Sequence, residues 1–409
     1  MVNGMDINKI LSEVNAAREL SFGIESVNNP FTPTFGKAPE EMAGRTAEIG
    51  KFVDVLLSGS GVDGTALSVT GARGTGKTVL LNCFADVARA YGFNVYSLDA
   101  YERTVDDFVD ALKTDIYNQN PVKTEFAPTA FGASIGTMSF EKAIPQRLTN
   151  LLKYELEHSK KSKGTVIILD EVDVEYREQI SEIAKAYKQA VSSHNVFFVY
   201  AGLPNQIENI KHVPGLTFLG RCKKLVLSTV NRGDTKRAII DTCEGSPISI
   251  GIGEADRLAI ASDGYPFAIQ CMGYAAWANA ARNGESEISD GDVTEAISSS
   301  EVLFKEQVIS AVIRDMSMRE LEFVIALCSF DDDIVDSGDL YKKLGWKSNY
   351  ACVYKNRLHD ASVIANGPTS STVHIAMPFL KEYINENRDV IELMIGTYPT
   401  DRYPMRRMV

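Results

Sequence analysis

The segment GARGTGKT is the strongest indication of the fold, and its residues are Gly71, Ala72, Arg73, Gly74, Thr75, Gly76, Lys77 and Thr78. It matches the pattern G-x-x-x-x-G-K-[ST] in full. A short apolar run, Ala66 to Thr70, precedes it, and a helical pattern, Val79 to Tyr91, follows it. In such a loop the backbone N–H groups point at phosphate groups, which requires left-handed conformations that glycine tolerates. The stretch therefore predicts a phosphate-binding loop between a strand and a helix.

The two residues that close this motif have the chemistry that bound ATP requires. We expect the Lys77 ammonium to reach the β- and γ-phosphates and the Thr78 hydroxyl to ligate Mg²⁺. The helix that opens at Lys77 adds the positive end of its dipole. We expect nucleotide contacts along the whole motif and at Val79 directly after it. The alternative, a chance glycine turn, is disfavoured by the strand before the motif and the helix after it.

A second run, GTVIILD from Gly164 to Asp170, is continuously apolar and predicts a central strand that is buried on both faces. Because doubly wound sheets hold ligands at the carboxyl ends of their strands, Asp170 and Glu171 are candidate site residues. We expect Asp170 to hold Mg²⁺ through water and Glu171 to orient or polarise the attacking water. The alternative is an acidic pair that caps the next segment. Asp173 is interpreted as structural.

The bulk composition limits the class of protein. The chain has 409 residues, of which 44% are apolar and 23% charged, which is typical of two or three globular domains. No apolar run approaches the roughly 18 residues of a membrane helix, and the first residues do not resemble a signal peptide. The six scattered cysteines argue against zinc and favour the cytoplasm. The net charge of −12 argues against nucleic-acid binding over the whole surface, although a local basic patch remains compatible with it.

The order of the remaining patterns predicts three parts. Two further strands, Phe93 to Leu98 and Asn195 to Ala201, extend the parallel sheet, and Asn118 to Met138 is interpreted as an insertion. The pattern is wholly helical from Thr229, and after Asp315 three helices and two strand-like runs follow the plan of a winged helix-turn-helix. The predicted divisions are an N-terminal helix and extended lead-in (residues 1–44), a nucleotide-binding core (45–228), a helical lid (229–314), a winged helix (315–390) and a tail (391–409).

These features together resemble a known family. A P-loop, then the strand VIILDEVD, then a strand that ends in Ala201-Gly202-Leu203-Pro204, then a helical segment and a winged helix resemble the AAA+ ATPases. Within them the chain is most similar to origin-recognition-like and archaeal-ATPase-type proteins. The resemblance implies an α/β fold with a P-loop AAA+ core around a parallel sheet, a helical lid and a C-terminal winged helix-turn-helix.

The resemblance also implies roles for single residues. It places Arg45 near the adenine and makes Arg221, in FLGRCKKLVL, a finger that enters the active site of a neighbouring subunit; the alternative is a surface base. At the position of the γ-phosphate sensor stand Gly202 and, slightly later, Asn205, neither of which is plainly that sensor. The lid stretch GYPFAIQ, which begins at Gly264, lacks the arginine that many relatives carry there. This departure implies a slow or partner-dependent ATPase.

The predicted winged helix has a mixed charge pattern. Residues 318–388 contain eight Lys or Arg and ten Asp or Glu, whereas duplex binding rests chiefly on neutralising phosphates. The third helix of this part is locally basic, and Ser348, Asn349 and Tyr350 are within reach of base edges in the predicted arrangement. The candidate DNA-binding residues are Lys347, Ser348, Asn349, Tyr350, Lys355 and Arg357. Domains of this kind also dock proteins, so both interpretations remain open.

From these observations we expect an enzyme that hydrolyses ATP with Mg²⁺, assembles into an ATP-dependent oligomer and acts on double-stranded DNA through its winged helix, as a replication-initiator-like, mobile-element or defence ATPase. One alternative is an ATP-driven signalling switch that recruits a protein partner through the winged helix. Another is a transposition-type regulator that marks DNA for a partner enzyme. In each case we expect a cytoplasmic protein that does not act in a membrane.

Overall fold

The computed structural model describes residues 29–33, 44–119, 147–159 and 162–397. The chain divides into two compact units. The first takes its described residues from 44–71 and 76–227, and the second takes 29–33, 72–75 and 228–397. Most of the stretch that the sequence marks as an insertion, Asn118 to Met138, lies outside the described residues.

The first unit is built on a five-stranded parallel sheet in the order β2-β3-β4-β1-β5. The strands are β1 Ala66–Gly71, β2 Asn94–Asp99, β3 Thr165–Asp170, β4 Val196–Gly202 and β5 Lys223–Leu227. The predicted α/β fold with a parallel sheet is confirmed, and each predicted strand lies within about a residue of its observed bounds.

The central strand β3 shows why its sequence is continuously apolar. All six of its residues are buried. Ile167 and Leu169 belong to the hydrophobic core on one face of the sheet, whereas Val166 and Ile168 belong to the core on the other face. Because successive side chains of a strand point to opposite faces, a strand that is covered on both faces needs apolar residues at every position.

Helices connect these strands and cover the sheet. They are α1 Thr46–Ser58, α2 Gly61–Thr65, α3 Lys77–Ala90, α4 Thr104–Gln119, α5 Leu148–His158, α6 Arg177–Ala190 and α7 Pro204–Lys211. In α1 the residues Ile49, Phe52, Val53 and Leu56 are buried, as their helical spacing predicts. Short 3₁₀ turns at Val174–Tyr176 and Thr217–Arg221 precede α6 and β5.

The second unit begins with four helices: α8 Arg232–Cys243, α9 Ile252–Ala261, α10 Pro266–Asn283 and α11 Asp290–Phe304. The expectation that this region is wholly helical is wrong, because β6 Ser249–Ile250 pairs in parallel with β7 Glu287–Ile288. Two-residue strands are too short to show a period of two in the sequence. No helix in the described part of the chain has the length and apolar character to cross a membrane.

Residues 29–33 pack on this helical region. The Phe31 ring is buried against Gly273 of α10, where a Cβ atom would lie only 2.4 Å from two ring carbons. Asn29 Nδ2 donates to the Tyr274 carbonyl at 2.8 Å, and the Thr32 N–H donates to Gln270 Oε1 at 2.8 Å. This part of the predicted lead-in is therefore fixed on α10 by close packing and two hydrogen bonds.

The last part of the second unit combines helices with a small sheet. A π-helical turn, Lys305–Ile309, continues into α12 Ser310–Asp315. The following helices are α13 Met318–Cys328, α14 Ser337–Leu344, α15 Ser348–Asp360, α16 Leu380–Glu386 and α17 Arg388–Thr397. The sequence predicts a two-stranded hairpin here, and the structure contains three antiparallel strands, in the order β8 Val335–Asp336, β10 Thr372–Ile375 and β9 Ile364–Asn366.

Candidate functional site

The glycine-rich loop has the backbone conformation that its composition predicts. Gly74 and Gly76 have φ angles of +75° and +86°, in the left-handed region where a side chain is strained. The loop follows β1 directly, and α3 begins at Lys77. The first N–H groups of this helix and the glycine turns together form a concave run of backbone donors, which is suited to an anion.

Lys77 is held inside this loop. Its side chain is buried, with 8% of the residue exposed, and Nζ donates to the Gly71 carbonyl at 3.0 Å. A buried ammonium retains a strong preference for an anionic partner, since a neutral carbonyl offsets only part of its lost hydration. Its position next to the loop backbone fits the predicted contact with phosphate.

Thr78 and Asp170 are brought together from α3 and β3. Thr78 Oγ1 donates to Asp170 Oδ2 at 2.6 Å, and only 5% of Asp170 is exposed. A hydroxyl and a carboxylate are the hard oxygen donors that Mg²⁺ prefers. The sequence places these two residues 92 positions apart, and the fold unites them at one edge of the sheet.

Glu171 leaves the sheet through an unusual backbone conformation. Its φ angle is +51°, one of four positive values among the described non-glycine residues. Its N–H donates to Asp170 Oδ1 at 2.8 Å, and its side chain is exposed. This left-handed conformation costs on the order of 1 kcal/mol. Such strained positions are frequent at functional sites.

Asp99 is a further candidate site residue, which the sequence analysis missed. It ends β2 and stands in register with Asp170 on the adjacent strand. Burial and the nearby Asp170 carboxylate raise the pKa of Asp99 above its usual value. The sequence did indicate this position, because Asp99 directly follows the predicted strand Phe93 to Leu98. Glu171 likewise directly follows the predicted strand that ends at Asp170.

Three other predicted nucleotide contacts have defined surroundings. Arg73 Nε pairs with Asp315 Oδ2 at 2.6 Å. Arg45 is buried at the start of α1 and pairs with Glu48 at 3.4 Å, and burial lowers the pKa of its guanidinium. Val79 is half-buried in the first turn of α3.

Arg221 is exposed at the end of the 3₁₀ turn before β5, which is an edge strand of the sheet. Gly202 ends β4, and a Cβ atom there would lie 2.7 Å from the Val172 carbonyl. Asn205 lies in the first turn of α7, where its Oδ1 accepts from the Gln206 N–H at 2.9 Å. A glycine has no polar side chain, so the strand end itself supplies no γ-phosphate sensor.

The candidate DNA-binding residues lie on α15 and its N-cap. Lys347 occupies the N-cap position, and Ser348, Asn349 and Tyr350 form the exposed first turn of the helix. Tyr350 packs edge-on against Trp346 and Tyr354, with ring centroids 5.2 and 5.1 Å apart. Of these predicted residues, Tyr350 is therefore held in an aromatic cluster with Trp346 and Tyr354.

Two of the basic residues of α15 differ in their surroundings. Lys355 is half-buried, and its Nζ donates to Ser337 Oγ and to the Ser370 carbonyl, both at 3.0 Å. Arg357 is exposed, and its guanidinium lies over the Tyr354 ring at 5.7 Å. The ammonium of Lys355 is thus engaged within its own domain, which the helical spacing alone did not indicate.

Comparison with known families identifies the part of the chain that contains this loop. Residues 41–199 match the family model described as the AAA ATPase domain. This segment is similar to AAA ATPase domains. The match spans the glycine-rich loop and the strand that ends at Asp170, and it agrees with the predicted resemblance to the AAA+ ATPases. A search of curated proteins found no match.

Solved structures extend the likeness beyond the AAA ATPase domain. The chain resembles the ORC2 protein of Aeropyrum pernix, determined as ADPNP–ADP complexes, with a TM-score of 0.60 and 14% identity over 89% of this chain and 98% of that one. It also resembles the Walker-type ATPase PABY2304 of Pyrococcus abyssi, with a TM-score of 0.56 and 13% identity over 85% and 97% of the two chains. At these identities the likeness concerns the fold, and the predicted resemblance to origin-recognition-like ATPases is confirmed at that level.

Proposed function

We propose that the chain binds Mg²⁺·ATP at residues 71–79 and hydrolyses it to ADP and phosphate. The observation that carries this proposal is the 2.6 Å hydrogen bond between the Thr78 hydroxyl and Asp170, beside a glycine-rich loop that holds the buried Lys77. An AAA ATPase domain over residues 41–199 supports it independently. Two variants test it: Lys77→Ala should lose ATP binding, and Glu171→Gln should bind ATP but not hydrolyse it.

In this proposal each residue has one task. Lys77 exchanges the Gly71 carbonyl for the β- and γ-phosphate oxygens, and the left-handed loop presents N–H groups to the same phosphates. Thr78 and Asp170 would hold Mg²⁺, which when bound would neutralise charge on the phosphates. Glu171 accepts a hydrogen bond from the attacking water and orients it towards the γ-phosphorus. Asp99, beside Asp170, adds negative charge to the metal side of the site.

We further propose that the chain assembles into an ATP-dependent oligomer in which Arg221 enters the neighbouring active site. Its exposed position at the end of a surface turn supports a contact with another subunit. A guanidinium at the γ-phosphate stabilises charge that develops during transfer, which in other nucleotide hydrolases accounts for roughly 10³-fold in rate.

The prediction for Arg221 concerns complementation. Turnover per chain is expected to rise with protein concentration, and Arg221→Ala is expected to lower it by about 10³-fold. Arg221→Ala chains mixed with Lys77→Ala chains should recover activity, because one interface combines an intact loop with an intact arginine. The measurement is steady-state phosphate release, with Lys224→Ala as the matched control. A flat specific activity and no recovery on mixing would contradict the trans-acting role.

For the C-terminal part we propose a winged helix that contacts double-stranded DNA through α15. The order of three helices and three short antiparallel strands supports this interpretation. Lys347 and Arg357 are exposed and suited to phosphate, and the exposed first turn of α15 carries hydroxyl and amide groups suited to base edges.

The prediction for DNA uses two charge-matched double variants. Lys347→Ala/Arg357→Ala removes both exposed cations of α15 and should reduce the slope of log K against log salt by about 1.8, since each phosphate contact contributes about 0.9. Lys342→Ala/Lys343→Ala removes the same charge from α14. It should change the slope by less than about half of the contribution of one phosphate contact. Duplex binding at several salt concentrations measures both. Equal slopes for the two variants would show that α15 does not contact phosphates.

A protein-docking role is the second candidate, and two observations favour it. The ammonium of Lys355 is engaged within the domain, and residues 318–388 carry ten acidic against eight basic residues. In this case the chain is an ATP-driven signalling switch or a transposition-type regulator that recruits a protein. Duplex affinity that remains at the nonspecific level, about 10⁻⁴ M or weaker in physiological salt, favours this candidate.

A further inference from the structure

The segment from Asp263 to Phe267 has a tightly constrained backbone. Asp263 and Gly264 have φ angles of +46° and +67°. Gly264 lies so close to Val230 that a Cβ atom would stand 1.8 Å from the Val230 carbonyl oxygen, and the Val230 N–H donates to the Gly264 carbonyl at 2.7 Å. These constraints leave little freedom for the next residue, Tyr265, whose side chain is fully buried.

This segment contacts the tip of the glycine-rich loop, residues 72–75. The Tyr265 hydroxyl donates to the Arg73 carbonyl, and the Phe267 N–H donates to the Gly74 carbonyl at 3.2 Å. The packing is also close, because a Cβ atom on Gly74 would lie 3.0 Å from Tyr265 Cε1 and 3.2 Å from Phe267 Cβ. The ring and the hydroxyl of Tyr265 therefore both meet the loop.

These two hydrogen bonds have a consequence for the loop's donors. In a planar trans peptide, the carbonyl of one residue and the N–H of the next point in opposite directions. Fixing the Arg73 carbonyl towards Tyr265 thus turns the Gly74 N–H the other way. Fixing the Gly74 carbonyl towards Phe267 likewise orients the Thr75 N–H, which donates to the Ala72 carbonyl at 3.4 Å. The directions of successive N–H groups are what make such a loop an anion-binding concavity.

We infer that Tyr265 is a positioning residue that holds the glycine-rich loop in the conformation that receives the β- and γ-phosphates. This inference rests on the proposed function, since it assumes that a polyphosphate occupies the loop. The stretch from Gly264 carries no arginine, so it has no cation with which to bind phosphate. Tyr265 acts instead on the loop backbone and orients the donors before the nucleotide arrives.

The test is Tyr265→Phe, which keeps the ring and removes the hydroxyl. Its matched control is Tyr200→Phe, because the buried Tyr200 hydroxyl also donates to a backbone carbonyl, that of Leu219 at 3.0 Å, outside the glycine-rich loop. Calorimetric titration of the full chain with Mg²⁺·ATP, Mg²⁺·ADP and Mg²⁺·tripolyphosphate measures the dissociation constants. Melting temperatures without nucleotide measure the structural cost of each substitution.

We expect Tyr265→Phe to weaken all three ligands by about tenfold, the equivalent of about 1.4 kcal/mol. Tyr200→Phe should leave their affinities unchanged although it lowers the melting temperature to a similar extent. Dissociation constants for Tyr265→Phe equal to those of the control would overturn the inference and leave Tyr265 as a core residue. If Tyr265→Phe does not fold, Gly74→Ala replaces it: the added methyl group meets the Tyr265 ring, so unchanged affinity in that variant would also overturn the inference.

The wild-type titration separates this inference from the proposed function. If wild type does not bind ATP, the proposed function itself has failed. If wild type binds ATP and Tyr265→Phe binds it equally well, only the positioning role has failed.

Discussion

Replacing Lys77 with alanine is expected to weaken ATP binding by about 100-fold or more. The Lys77 ammonium is buried in the glycine-rich loop and donates to the Gly71 carbonyl, so it is already positioned for the phosphates. Removing one partner of a buried charged contact costs roughly 2–5 kcal/mol, and 100-fold in affinity corresponds to about 2.7 kcal/mol. Equilibrium titration with Mg²⁺·ATP measures the effect.

The matched control is Lys51→Ala, which removes an exposed lysine from α1 of the same unit. It should leave ATP affinity unchanged. The melting temperature of Lys77→Ala without nucleotide should stay near that of wild type, because the substitution also removes the cost of burying an ammonium in the loop. Equal ATP affinity in wild type and Lys77→Ala would contradict the assignment of the loop.

Replacing Glu171 with glutamine is expected to lower the rate of ATP hydrolysis by about 10²–10⁴-fold, the usual contribution of a general base. Affinity for ATP should be retained or increase slightly, because the change removes a negative charge near the phosphates and keeps the shape of the side chain. Single-turnover phosphate release and a parallel ATP titration distinguish the two effects.

The control for this variant is Asp173→Asn. Asp173 also lies in the acidic run after β3, but its Oδ1 accepts from the Glu175 N–H at 2.9 Å and caps the following 3₁₀ turn. Asparagine can cap in the same way, so turnover should stay close to that of wild type. Wild-type turnover in Glu171→Gln would show that another group orients the water.

Much of the first unit could be predicted because its signals are local. The glycine pattern requires positive φ angles, which Gly74 and Gly76 have, and the uninterrupted apolar run of β3 indicates burial on both faces. The sequence also predicts that Thr78 and Asp170 serve the same site, because ligands bind at the carboxyl ends of parallel strands, and the structure joins them by a hydrogen bond.

Features that depend on distant contacts could not be predicted in this way. The Tyr265 hydroxyl donates to the carbonyl of Arg73, which lies 192 residues away in the sequence, and hydrophobic periodicity contains no information about such a pair. The helical position of Lys355 suggested an outward charge, whereas its long side chain turns back to Ser337 and Ser370. The two-residue strands β6, β7 and β8 carry too few positions for an alternation to be visible.

The central claim is that this chain hydrolyses ATP at the glycine-rich loop. The most direct test is steady-state phosphate release from Mg²⁺·ATP by purified wild type, Lys77→Ala and Glu171→Gln, measured at the same high protein concentration so that neighbouring subunits can assemble. We predict Mg²⁺-dependent turnover in wild type and a turnover rate that is lower by about 100-fold or more in both variants. Of the two variants, only Glu171→Gln should still bind ATP. Equal rates in all three proteins would contradict the claim.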